Sequence, residues 1–232
     1  MEFINDFESN SNNYTKKINN SKYTEGKKVV KEKGVDDICE IIIGNNEIEY
    51  ESCDPLQKNS FVINKKLEIA SNVVKNTKYS KKFTVPLIQK GLQGKNLLSS
   101  VLYLNEYYKV NCIIYNKDTD EYYQTSLKNY DPLYCIYKNN SWFRSNAYID
   151  IKKLQNYGHF YDISSLENIL TLDHPDIYIY KPFLLALSKY KAKELEVIAG
   201  QEGVSLTNEE GKKKIKKQLY DEINLKHYIQ GI

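Results

Sequence analysis

The stretch Leu97-Leu98-Ser99-Ser100-Val101-Leu102-Tyr103-Leu104-Asn105-Glu106-Tyr107-Tyr108-Lys109-Val110-Asn111-Cys112-Ile113-Ile114-Tyr115 changes its hydrophobic period half-way along. Leu97, Leu98, Val101, Leu102, Asn105 and Tyr108 recur at helical spacing, which predicts a helix over about 95–108. From Val110 to Tyr115 the run is continuous and rich in β-branched residues, which predicts a buried strand. Lys117-Asp118-Thr119-Asp120 reads as a turn, Glu121 to Ser126 as a second strand and Leu133 to Tyr137 as a third. Asn139-Asn140 then turns the chain into a fourth strand, Ser141 to Arg144. A helix packed on an antiparallel β-meander is the core of an α+β domain.

Upstream, Phe83-Thr84-Val85-Pro86-Leu87-Ile88 is expected to be extended, because the residue before a proline disfavours the helical region. Leu67, Ile69, Ala70, Val73 and Val74 suggest one short helix, followed by a Lys-rich loop. Ile38 to Ile43, the turn Gly44-Asn45-Asn46 and the alternation of Glu47 to Glu51 carry a hairpin signal. Residues 1–34 are poor in apolar side chains and rich in Asn, Ser, Thr and Lys, and are expected to form a disordered N-terminal arm. Downstream, short helices are expected at 150–156 and 164–171, the second capped by Ser164 or Ser165. The α+β body is thus drawn over 35–182, leaving a helical module at 183–232.

Composition narrows the classes. The 232 residues suit one large domain, or a medium domain with an appendage, and no apolar run reaches membrane-spanning length. Glu2 and Asp6 follow Met1 in place of a basic region and an apolar stretch, so no secretory signal is expected. A net charge of +3 is too mild to imply a nucleic-acid partner on its own. Of 33 basic residues only Arg144 is arginine, and Asn, Ile and Tyr are abundant, a bias that fits a genome of low GC content. Cys39, Cys53, Cys112 and Cys135 form no C-x-x-C pair and sit near no histidine at ligand spacing. No structural metal and no cofactor is therefore expected.

The last 45 residues carry the clearest pattern. Ala192, Leu195, Ile198 and Ala199 share a helical face that ends at Gly200 or Gly203, one of them as a left-handed cap. Val204 and Leu206 alternate in an extended connection. Thr207 or Asn208 can cap a second helix in which Ile215, Leu219 and Ile223 form one stripe. Lys212, Lys213, Lys214, Lys216 and Lys217 crowd six positions at the start of that helix, where cations oppose the macrodipole. An anion partner would meet those lysines and the free helix amides together.

This segment, Tyr190-Lys-Ala-Lys-Glu-Leu195 through Gly203-Val204-Ser-Leu206 to Gly211-Lys-Lys-Lys-Ile-Lys-Lys-Gln-Leu219-Tyr-Asp-Glu-Ile223, resembles a SAP motif, the helix–extended–helix module of chromatin and DNA-repair proteins. Its ending is similar to C-terminal segments of proteins from nucleocytoplasmic large DNA viruses. The resemblance covers about 35 residues and implies non-enzymatic, weakly sequence-specific binding of double-stranded DNA. Lys212, Lys213, Lys216 and Lys217 would touch phosphates, and Leu195, Ile198, Leu206, Leu219 and Ile223 would form a miniature core. It further implies a virion or a host-cell replication compartment, with other viral proteins as partners and no membrane. Glu209-Glu210 depart from the pattern.

Two rival classes stand beside this. One is a structural or protein-interaction component in which the C-terminal pair docks on protein. The other is a degenerate cysteine hydrolase, because the helix and strands of the middle also look like the second half of a papain-like fold of the OTU type. There Cys53 would be the nucleophile and His159 the base. The Gly-rich Gly91 to Asn96 lacks phosphate-loop spacing. Glu47, Glu49 and Glu51 suggest no metal, and the tyrosine pairs read as half-buried strand residues.

Overall fold

In the computed structural model, which describes residues 34–145, 163–174 and 179–230, Asp37 starts the first helix by accepting the Cys39 amide at 3.2 Å. That helix, α1 (Ile38–Asn46), and the short α2 (Ile48–Ser52) replace the expected hairpin. A short apolar run has the same pattern in a buried strand and in a helix buried all round. Here the burial is all round: Ile38, Cys39, Ile41, Ile42 and Ile43 are enclosed between neighbouring helices and the sheet. Each such isoleucine contributes about 1.5–3 kcal/mol of burial.

The next helix, α3 (Lys58–Ser71), begins earlier than expected and stops before Val73. Residues 85–93 form α4 (Val85–Gln93), where an extended segment was expected. Thr84 caps it by accepting the Leu87 amide, and Pro86 sits in the first turn, where a missing N–H costs nothing. The predicted central helix is present as α5 (Leu98–Tyr108) and ends in a left-handed Lys109. Its first turn is capped from a distance: Asp173 accepts the Ser99 amide at 2.8 Å and the Ser99 hydroxyl at 2.5 Å.

All four expected strands are present: β1 (Val110–Asn116), β2 (Glu121–Gln124), β3 (Asp131–Lys138) and β4 (Ser141–Ser145). They do not form a meander. The order is β2-β1-β3-β4, with β1 antiparallel to β2 but parallel to β3, so the four-stranded sheet is mixed. The chain leaves β2 beside the start of β1 and crosses that end before entering β3. A polar knot holds the crossing: Asn105 donates to the Thr125 carbonyl and hydroxyl, and Thr125 donates to the Cys112 carbonyl. Asn111 accepts the Ser126 amide. The fold is therefore a mixed α+β arrangement, with helices α1 and α5 against a sheet whose strand β1 is fully buried.

The body also encloses a charge pair. Lys66 of α3 donates to Asp37 at 2.9 Å and to the Gly94 carbonyl, and both side chains are buried. Asp37 accepts the Asn96 amide as well, while the Asn96 side chain accepts the Ile38 amide. Helices α1, α3 and α4 are pinned together at one point, and the Gly-rich segment belongs to that pin.

The expected helix at 164–171 is a 3₁₀ turn, Ile163–Asn168. Of the arm expected at 1–34, residues 1–33 lie outside the described residues, as do the helix expected at 150–156 and the side chains of Ser164 and Ser165; Gly34 is described and lies against Ser141 and Phe143. The chain ends in α6 (Ala192–Gln201) and α7 (Lys216–Gln230). Among the described residues no helix is long and apolar enough to cross a membrane.

Candidate nucleic-acid interface

Helix α6 closes in a Schellman motif. The Val204 amide donates to the Ala199 carbonyl at 2.7 Å and the Gly203 amide to the Gly200 carbonyl at 3.2 Å, with Gly203 at φ +65°. Gly203, not Gly200, is the left-handed residue. The connection then folds into a tight loop. Thr207 bridges Lys213, the Lys214 amide donates to the Leu206 carbonyl, and Gly211 turns the chain at φ +75°. The second helix therefore starts later than its sequence pattern suggests. Neither Thr207 nor Asn208 caps it; Gln218 does so in reverse, accepting the Ile215 amide at 2.9 Å.

Leu195, Ala199, Leu219 and Ile223 bury fully against one another, joined by Leu184. Ile198 is only half-buried and Leu206 is 38% exposed, so one member of the expected core stands in solvent; Ile215, expected in the apolar stripe, is 64% exposed. Polar clasps make up for this. Buried Asn224 accepts the Leu184 amide and donates to the Tyr220 carbonyl. His227 meets Glu202 at 3.0 Å and stacks on Phe183, while Lys226 donates to the Glu202 carbonyl.

The five lysines separate into three kinds. Lys214 is buried beneath Glu222 at 2.5 Å and serves the hairpin itself. Lys212 pairs with Glu210 at 2.8 Å and Lys213 with Glu196 at 2.9 Å, both through well-exposed ammonium groups. Such exposed pairs are worth at most about 1 kcal/mol, so a phosphate can replace the carboxylate cheaply. Lys216 and Lys217, in the first turn of α7, have no carboxylate partner among the described residues. The lysine cluster therefore lies on two elements, the returning arm of the loop and the helix start, rather than on one helix.

Cys53 follows α2 and donates its thiol to the Glu49 carbonyl, and no helix starts there. Cys39 does sit in the first turn of a helix, but it is fully buried, 3.3 Å from the Ser100 hydroxyl. Burial and the Asp37 carboxylate push its thiol well above the ordinary range, outweighing Lys66 and Ser100, so no thiolate is stabilised. His159 lies outside the described residues. His174 packs edge-on against Phe83. The described residues contain no cluster of three or more His, Cys, Asp or Glu able to hold a metal. Glu47 accepts from Tyr108 instead, and Tyr115 and Tyr122 stack on each other at 4.3 Å.

No protein-family model, no curated protein and no solved structure matches this chain.

Proposed function

We propose that this protein binds the phosphate backbone of double-stranded DNA through its C-terminal helical hairpin, a SAP-like module, and acts by binding rather than by catalysis. The carrying observation is the pair Lys216 and Lys217, which have no carboxylate partner among the described residues and stand where the free amides of α7 begin. Exposed Lys212 and Lys213 flank them on the loop and give up weak pairs to reach phosphate. Backbone contact of this kind carries little sequence preference and is salt-sensitive. It suits a DNA-associated protein of a large DNA virus, in a virion or replication compartment, as the sequence resemblance implies.

The experiment is fluorescence anisotropy of a labelled duplex with the full chain across salt. Replacing Lys216 and Lys217 by Ala removes two phosphate contacts. Binding at about 50 mM salt is expected to weaken about 10-fold, and the slope of log affinity against log salt to become shallower by about 1.8. Equal binding by the variant overturns the reading.

One observation favours a second reading, a protein-docking role. Val197, Ile215 and Leu185 leave large apolar side chains exposed on the same module. Under that reading the lysine variant leaves any interaction unchanged, and Ile215→Asp abolishes it.

A further inference from the structure

The Lys-rich loop between α3 and α4 is anchored to the core by Val73, Tyr79 and Phe83, and the chain brings its lysines to one particular place. Residues 78–82 lie beside residues 179–182, about a hundred positions later. Ser80 donates its amide to the Ile179 carbonyl at 2.7 Å, Lys181 donates to the Lys78 carbonyl at 2.9 Å, and Tyr79 bridges Tyr180. Lys78, Lys81, Lys82 and Lys181 are thereby gathered at a single joint, and all four are exposed. Neither segment contains an acidic residue, and no ion pair to any of the four is found among the described residues.

This joint faces the hairpin. Tyr228 of α7 donates to the Tyr180 carbonyl at 3.4 Å, and their rings lie 6.4 Å apart. Beside that contact runs a groove of about 620 Å³, with Lys81 and Lys82 on the body side and Lys217 and Tyr220 on the hairpin side. Asp221 is the one acidic residue in its lining. Behind the joint, Lys128 sits 3.8 Å over the Tyr180 ring. Its ammonium is disfavoured chiefly by burial and further by the like charges of Lys109 and Lys78, with Glu106 opposing.

We propose that Lys81 and Lys82 of the body form a second bank of the DNA-binding surface, so that one sugar–phosphate strand of a duplex runs along the groove between the body and α7. This rests on the hairpin reading above and extends it: the site belongs to the assembled protein and not to the hairpin alone. Charge complementarity selects the occupant. Unpaired cations face each other across a concave surface, and a regular polyanion with a raised backbone matches it.

The test uses the full chain, a labelled duplex and the single strand of the same sequence, titrated between about 50 and 200 mM salt. Lys81→Ala/Lys82→Ala is compared with Lys216→Ala/Lys217→Ala and with the fourfold variant. All four side chains are at the surface, and circular dichroism confirms that each variant is folded. Each double variant is expected to bind about 10-fold more weakly at the lowest salt with a slope shallower by about 1.8, and the fourfold variant about 100-fold more weakly. Wild-type binding by Lys81→Ala/Lys82→Ala together with a loss in Lys216→Ala/Lys217→Ala refutes the second bank and leaves the hairpin reading intact. A loss confined to Lys81→Ala/Lys82→Ala moves the site onto the body and overturns both as stated. No binding by wild type, or no change in any variant, overturns both. Tighter binding to the single strand overturns the duplex as occupant.

Discussion

The body buries Ile38, Ile42, Ile43, Leu98, Leu104 and Ile114 completely and encloses the Lys66–Asp37 pair, whereas the hairpin closes on Leu184, Leu195, Ala199, Leu219 and Ile223. The two regions hold their helices in different ways. In the body, elements distant in sequence are tied through buried polar knots, such as Asp173 on Ser99 and Asn105 on Thr125. In the hairpin, Gly203 and Gln218 finish two helix ends within a few residues, and the clasps of Asn224 on Leu184 and His227 on Glu202 tie the elements together. The hairpin is a small unit closed by five buried apolar side chains among the described residues.

The sharpest way to break this comparison is to open the body's charge pair. Lys66→Met leaves the Asp37 carboxylate buried without its cation and is expected to cost about 3–5 kcal/mol, read as a lower midpoint in urea unfolding. A loss under 1 kcal/mol would show that water reaches the site and that the pin is superficial. Next in size, Leu219→Ala in the hairpin is expected to cost about 2–4 kcal/mol of hairpin stability. Hydrogen exchange should show the faster amides confined to α6 and α7, with α1 and α5 unchanged. Faster exchange in α1 as well would merge the two regions into one cooperative unit. The smallest effect is expected at Gly203, whose φ of +65° strains any side chain and whose added Cβ would come 3.3 Å from the Lys226 ammonium. Gly203→Ala should lower the hairpin's stability by about 1 kcal/mol, with no change in the body's urea midpoint.

What could be read in the sequence follows the same division. Leu195, Ala199, Leu219 and Ile223 recur at helical spacing with charge between them, so both helices of the hairpin and their facing stripes are visible. Leu98–Tyr108 and Val110–Asn116 were equally plain, because the period changes at Lys109. Helix α1 was not, since a helix buried on every side loses the periodicity that marks a helix, and Gly44-Asn45-Asn46 imitates a hairpin turn. The proline rule failed at Val85 because Pro86 falls within a first turn, where it is welcome. The parallel pairing of β1 with β3 has no local signature; it depends on Asn105, Asn111 and Thr125, which no pattern singles out. At the candidate site the lysines were visible but their carboxylate partners were not. Glu196 reaches Lys213 from the other helix, and Glu222 covers Lys214 from two turns further along. The Lys81–Lys82 bank was hidden for the same reason: only the backbone bonds between residues 78–82 and 179–182 bring it to the groove.

The contact of Val35 with Trp142 has a further consequence. Val35 donates to the Trp142 carbonyl at 2.9 Å and accepts the Trp142 amide at 2.8 Å, so the outer rail of β4 is already taken near its start. On the opposite side β2 offers only four residues, opening with Glu121. A second molecule that tried to lengthen the sheet by adding a strand would find one flank occupied and the other too short. Both flanks of the sheet are thereby blunted against edge-to-edge pairing, one by a bridge and the other by its brevity.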